Sequence, residues 1–183
     1  RNTSLYMSDT LHNALSSRVR GEVYTDTFTR KIYSIDASIH QIEPQAVICP
    51  RDADDVVAAV EVARSEGVPV VARGAATGLA GGCIGTGIVI DVSRHMKGIG
   101  EINTDAGYVV CGPGVVQDHL NTALAPHGYR LGPDTATSNR ATLGGMAANN
   151  SSGAHSLRYG KMVDHLQEVT LVLGSGKMIT FGE

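Results

Sequence analysis

The sequence predicts an α+β fold in two lobes: a small β-α-β lobe, then a larger lobe with a mixed or antiparallel sheet flanked by helices. Two observations carry this expectation. Between residues 44 and 90 an apolar run, a capped amphipathic stretch and a second apolar run follow one another. After residue 91, short strand-like segments come in pairs separated by tight turns. With 42% hydrophobic residues in a chain of 183, there is enough apolar surface for an ordinary buried core.

The elements follow in order. From Asp9 to Val19 the residues Leu11, Leu15 and Val19 fall four apart, a helical stripe for which Gly21 is a plausible stop. Glu22 to Glu43 has no strong period and reads as irregular with one short helix, so residues 1–43 form a helical lead-in. The run from Ala46 to Cys49 reads as a strand ended by Pro50. Asp52 then caps a helix with Asp55 in its first turn and Val56, Val60 and Ala63 on its apolar face. Gly67 closes that helix, and Val68 to Ala72 is the next strand. A glycine-rich loop from Arg73 to Gly87 leads to the strand Ile88 to Val92.

In the second part, Gly100 to Asn103 and Gly107 to Cys111 flank a Thr-Asp-Ala-Gly turn and predict antiparallel pairing. Val115 to Ala125 reads as a helix carrying Val116, Leu120, Ala123 and Leu124. Gly132 to Gly160 is rich in Gly, Ser, Asn and Thr, too ordered in composition for a linker and too poor in periodicity for one element, and loops of that length are functional or disordered. Glu168 to Leu173 and Lys177 to Phe181, joined by Gly-Ser-Gly, read as a hairpin.

Composition removes several function classes. Fifteen Lys and Arg against eighteen Asp and Glu give a net charge of −3 with the basic residues scattered, which leaves no footprint for nucleic acid. No apolar run approaches the roughly 18 residues of a bilayer span, and the N-terminus lacks a signal-peptide layout, so a cytoplasmic location is expected. Cys49, Cys83 and Cys111 are far apart and lie in apolar stretches, as buried free thiols do. The seven histidines form no metal-binding pair: His12, His40, His119 and His127 read as surface or helix-end residues, and His95 and His165 have no evident partner. Starting at Arg1 and stopping at Glu183 after a strand-like segment, the chain reads as a piece of a longer protein.

The chemistry concentrates in two loops. Arg73-Gly74-Ala75-Ala76-Thr77-Gly78-Leu79-Ala80-Gly81-Gly82 follows a strand directly, and its glycines allow backbone N–H groups to converge on a phosphate. Read alone, it is equally a tight connection between strands. The second stretch is Pro133-Asp134 followed by Ala141 to Gly153, in which small residues would let a flat ring or sugar-phosphate lie against backbone and Thr142, Asn149 and Ser152 offer hydrogen bonds. Read alone it is more simply a close-packed loop, and only two such loops in one small domain shift the balance toward binding. Familiar fingerprints are missing. The Gly-x-Gly pairs at Gly85, Gly98, Gly112 and Gly174 are followed, three residues past each second glycine, by Ile90, Asn103, Gln117 and Ile179, so no GxGxxG is completed. There is no GxxxxGK loop either.

Taken together, RGAATGLAGG, IVIDVS, CGPGV, GPDTATSNRATLGGMAANNSSGAHSLRYG and EVTLVLGSG resemble, in order and spacing, the PCMH-type FAD-binding domain of the vanillyl-alcohol oxidase and p-cresol methylhydroxylase superfamily. The likeness is greatest to the glycolate oxidase and D-lactate dehydrogenase branch of FAD-linked oxidases, and it covers Gln45 to Glu183. It implies an FAD-binding domain over 44–183, with lobes 44–90 and 91–183 and a C-terminal substrate domain outside this chain. It implies that the loop from Arg73 through Gly74, Ala75, Ala76, Thr77 and Gly78 to Leu79 wraps the pyrophosphate. Pro133, Asp134, Thr142, Gly144, Gly145, Ala148, Asn149, Ser152 and Gly153 would line the dinucleotide, with Val172 toward the adenosine.

Ala75 and Ala76 stand where relatives usually carry further glycines, so a positive φ at either costs about 1 kcal/mol. No histidine lies between His40 and His95, so the flavin is expected to be non-covalent. His155 sits in the loop that the resemblance places beside the flavin, where Arg158 is equally a charge to offset phosphate or a structural clamp. The implied activity is oxidation of a small-molecule 2-hydroxy acid such as D-lactate, glycolate or 2-hydroxyglutarate by hydride transfer to flavin. The implied partners are the substrate domain and an iron–sulfur domain or electron carrier. No catalytic or metal-binding residue is expected in this part. Two alternatives are a flavin-binding electron-transfer module without substrate selection and a MurB-like reductase, which fits GGMAANNSSG less well.

Overall fold

In the computed structural model, residues 3–182 are described. A four-stranded sheet organises the first half. Its strands are β1 (Glu22–Tyr24), β2 (Ala46–Cys49), β3 (Val70–Arg73) and β4 (Ile88–Asp91), in the order β1-β2-β4-β3. β4 runs parallel to both β2 and β3, and β1 is antiparallel to β2. Every residue of β2 and β4 is buried, which explains why both are unbroken apolar runs rather than alternating ones.

The helix α3 (Ala53–Glu66) crosses between β2 and β3. Its ends are those the sequence predicts: the Asp52 carboxylate accepts from Asp55 N, and Gly67 takes the left-handed conformation at φ 65°. The helix α1 (Thr3–Ser16) lays Leu11 and Leu15 into the same core, joined by Val19 from the turn beyond it. The predicted stripe is therefore present, but the helix stops before the expected Gly21.

Two expectations need correction here. The stretch Glu22 to Glu43 holds the strand β1 as well as the short helix α2 (Thr27–Ile32), because pairing to β2 organises three residues too few to show a period. Gly132 to Gly160 is not one loop but contains α5 (Leu143–Ala148) and α6 (Ser156–Tyr159), both too short for an apolar face.

The hairpin β5 (Ile99–Asn103) and β6 (Tyr108–Cys111) and the helix α4 (Gln117–Leu124) support a second core of Val115, Leu120, Leu124, Ala141, Leu143, Met146 and Met162. The final hairpin, β7 (Glu168–Val172) and β8 (Met178–Gly182), is antiparallel as predicted and packs back against α3. Its buried turn residue Gly176 meets Glu61 of that helix. Among the described residues no helix is long and apolar enough to cross a membrane.

Candidate functional site

The site is built where the parallel strands end. β3 ends at Arg73 and β4 at Asp91, and loops at the carboxyl ends of such strands are the usual binding crevice of an open sheet. From Arg73 the chain enters the glycine-rich loop. The backbone N–H groups of residues 75–82 donate to no acceptor among the described residues, so they remain available to a ligand. Ala76 sits at φ 56°, the left-handed conformation whose cost the sequence anticipates. A Cβ at Gly78 or Gly82 would meet nothing within 4 Å, and neither residue has a positive φ. The chain itself therefore does not require glycine there.

The second loop is carried to the first by a ladder of backbone bonds. Leu143 N donates to Val115 O at 2.8 Å, Gly144 N to Pro113 O at 2.8 Å and Gln117 N to Ala141 O at 2.9 Å. Gly114 in turn packs so closely on Val92 and Met96 that any Cβ would collide with their carbonyls. This relay sets Thr142 against Gly74, where an added Cβ would run into Thr142 Oγ1. Thr142 is 3% exposed, and its hydroxyl is the only buried side-chain polar atom without a hydrogen-bond partner among the described residues. Buried hydroxyls are nearly always paired. An orphan hydroxyl and a row of free amides on adjoining loops fit an anionic, polar ligand such as a dinucleotide pyrophosphate.

The remaining expected residues divide. Gly145 borders Thr142 Oγ1, while Gly144 is glycine because Pro113 lies against it, and Gly153 because Asp134 does. Asp134 accepts from His155 N at 3.2 Å and pairs with the His155 ring through Nδ1. The ring and backbone of His155 hold the Asp134 carboxyl below the usual carboxylate range. Pro133 is buried, and Ala148, Asn149 and Ser152 are exposed. The Asn149 side chain donates to Gly145 O at 2.9 Å, closing the end of α5. Leu79 is 80% exposed at the loop tip. Val172 packs its side chain against the sheet core within the β7–β8 hairpin. Arg73 directs its guanidinium to backbone carbonyls, with Nη2 donating to Ile35 O at 2.9 Å.

Several residues that shape the site escaped the sequence reading. Gln117, 1% exposed, donates through Nε2 to Pro133 O and accepts from Thr135 Oγ1 at 2.6 Å, fixing the start of the second loop. Its signal was available, since it shares the buried helix face of Leu120 and Leu124. Asp91, buried at the end of β4, accepts from Tyr33 Oη at 2.7 Å and from Ser93 N at 2.8 Å. Burial and that carboxylate push the Tyr33 phenol well above its ordinary pKa, so it stays a donor.

His95 and His165, expected to lack partners, have them: Glu22 at 2.6 Å and the Tyr159 carbonyl at 2.6 Å. The three cysteines are free, but only Cys49 is fully buried. Among the described residues no cluster of His, Cys, Asp or Glu could hold a metal.

A family model described as FAD binding domain matches residues 44–182. The D-2-hydroxyglutarate dehydrogenase of Pseudomonas putida is 42% identical over 167 residues, which are 90% of this chain and 17% of that protein. The D-lactate dehydrogenase of Archaeoglobus fulgidus is 32% identical over 157 residues, 82% of this chain and 35% of that protein. The chain thus spans about a sixth of the first relative's length and about a third of the second's. Among solved structures, wild-type BBE-like 1 of Physcomitrella patens superposes with a TM-score of 0.80 at 22% identity, over 94% of this chain and 37% of that one.

Proposed function

We propose, since the chain belongs to the FAD binding domain family, that it is the flavin-holding part of a longer oxidoreductase that oxidises a 2-hydroxy acid. The observation that carries this reading is the meeting of the two loops, where the orphan Thr142 hydroxyl and the free amides of residues 75–78 adjoin. The 2-hydroxy acid class is supported by the names of the two relatives.

When bound, FAD supplies the hydride acceptor for oxidation of the carbon that bears the substrate hydroxyl. The chain's own residues bind and orient. In this reading the amides of Ala75 to Gly78 and the Thr142 hydroxyl hold the pyrophosphate, and Gly145 keeps the backbone close to it. The Asp134–His155 pair fixes the far edge of the second loop. Val172 contributes backbone at the adenosine end. The flavin is held without a covalent bond. The substrate-binding groups and the proton acceptor are assigned to a C-terminal domain outside this chain, with an iron–sulfur domain or electron carrier as the electron partner. The cytoplasm is the compartment proposed, in keeping with three free cysteines.

The test uses the full-length protein. Anaerobic addition of D-2-hydroxyglutarate, D-lactate or glycolate is expected to bleach the visible flavin band, and an artificial acceptor should sustain turnover with one of them. Flavin left oxidised by all three would overturn the substrate class and favour an electron-transfer module. Gly78→Asp sets a carboxylate where the pyrophosphate would lie and should abolish flavin retention; unchanged flavin content would refute the loop assignment.

A further inference from the structure

Arg73 is the one arginine in the glycine-rich loop, and a guanidinium there invites the reading of a direct phosphate ligand. Its surroundings point elsewhere. Nη2 donates to Ile35 O at 2.9 Å, and Nη1 lies 3.4 Å from both Tyr33 O and Cys83 O. The guanidinium carbon stands 4.9 Å over the Tyr33 ring. Tyr33 is itself anchored, since its hydroxyl donates to Asp91 at the end of β4. Beyond it, Ala37 N donates to Ala76 O at 3.1 Å, a bond to the one loop residue with an unfavourable positive φ. Ser38 and His40 then abut Gly81. The stretch from Tyr33 to His40 therefore lies along the loop, gripped at one end by Arg73, and it precedes the residues that the family model matches.

We propose that Arg73 is a positioning residue: it clamps the segment 33–37 onto the loop as a brace that holds Ala76 in its left-handed conformation and so presents the amides of residues 75–78 to the pyrophosphate. The inference rests on the loop assignment made above. A brace acts on loop conformation and leaves ligand charge untouched, which separates it from a phosphate ligand in two ways. Loss of a direct ion pair flattens the salt dependence of binding, whereas loss of a brace leaves the slope unchanged. Loss of a brace is also repaired by glycine at 76, which adopts positive φ without steric cost, whereas loss of a ligand is not.

The experiment titrates full-length apoprotein with FAD at several salt concentrations and follows quenching of flavin fluorescence. Arg73→Gln is expected to weaken FAD at least tenfold with the wild-type salt slope, and adding Ala76→Gly should recover several-fold of that loss. Tyr33→Leu, which keeps the guanidinium but removes the ring and its anchor, should weaken FAD and respond to Ala76→Gly in the same way, so the proposal stays testable if one variant folds poorly. Wild-type affinity in either variant, a flattened slope or an absent rescue would overturn the brace. Gly78→Asp separates the two ideas: loss of FAD in that variant with normal affinity in Arg73→Gln sinks the brace alone, and retention of FAD by Gly78→Asp sinks both.

Discussion

Thr142 combines two properties that conflict in the chain by itself, a hydroxyl and almost complete burial without a partner. A buried hydroxyl left unpaired costs roughly 1–3 kcal/mol. Thr142→Val keeps the shape and deletes the orphan, so the apoprotein is expected to gain about 1 kcal/mol of stability in denaturant unfolding. FAD affinity should move the other way and fall about tenfold, the effect of losing roughly 1.4 kcal/mol of hydrogen bonding. Gains in both stability and affinity would show that the hydroxyl meets no ligand. This residue was legible in the sequence as one of several small polar positions in a loop. Its singular status was not, because burial depends on Gly74 arriving from a strand about 70 residues away in sequence.

At the scale of elements, α3 shows what local sequence decides. Both its ends were legible because caps act within one turn: Asp52 bonds Asp55 N, and Gly67 alone accepts the left-handed turn cheaply. Asp55 shows the opposite. Read as a first-turn acid facing the helix dipole, it is a 1%-exposed carboxylate that accepts from Arg20 N, Gly21 N and Arg51 N at 2.9–3.0 Å and from Arg20 Nε at 3.2 Å. It stitches the turn between α1 and β1 to the start of α3. Burial pushes its pKa up, but the bonds from Arg51 and Arg20 outweigh that and hold it below the ordinary carboxylate range. A depressed folded pKa means the contribution is complete above the ordinary range and is lost as pH falls through the folded value. Asp55→Ala should therefore cost about 3 kcal/mol at neutral pH, by leaving these amides and a guanidinium unpaired. The gap between variant and wild type should narrow as pH falls below the ordinary carboxylate range; urea melts at pH 7 and pH 3 check both statements. An unchanged gap at pH 3 would show that the carboxylate's charge is not what stitches the two elements.

For the whole molecule, the decisive feature is that two separate hydrophobic cores, one packed on the sheet and one around α4 and α5, carry the two loops that touch where Gly74 faces Thr142. A ligand held by both loops stabilises only the state in which they are together. FAD at a hundred times its Kd should then raise the unfolding free energy by about 2.7 kcal/mol, read as a concentration-dependent thermal shift that Gly78→Asp removes. A shift that survives in that variant would place the ligand elsewhere.

Local chemistry was enough for the strand–helix–strand unit, both later hairpins and the two loops rich in small residues, because periodicity, caps and turn glycines act over a few residues. The ordered spacing of several motifs added the family resemblance. Tertiary structure alone decided that β1 joins β2, that the last hairpin returns to α3, that Tyr33 to His40 lies along the glycine-rich loop, and that Thr142 is the buried point where the loops touch. Each of these is a pairing between segments distant in sequence, and neither partner's local pattern encodes the position of the other.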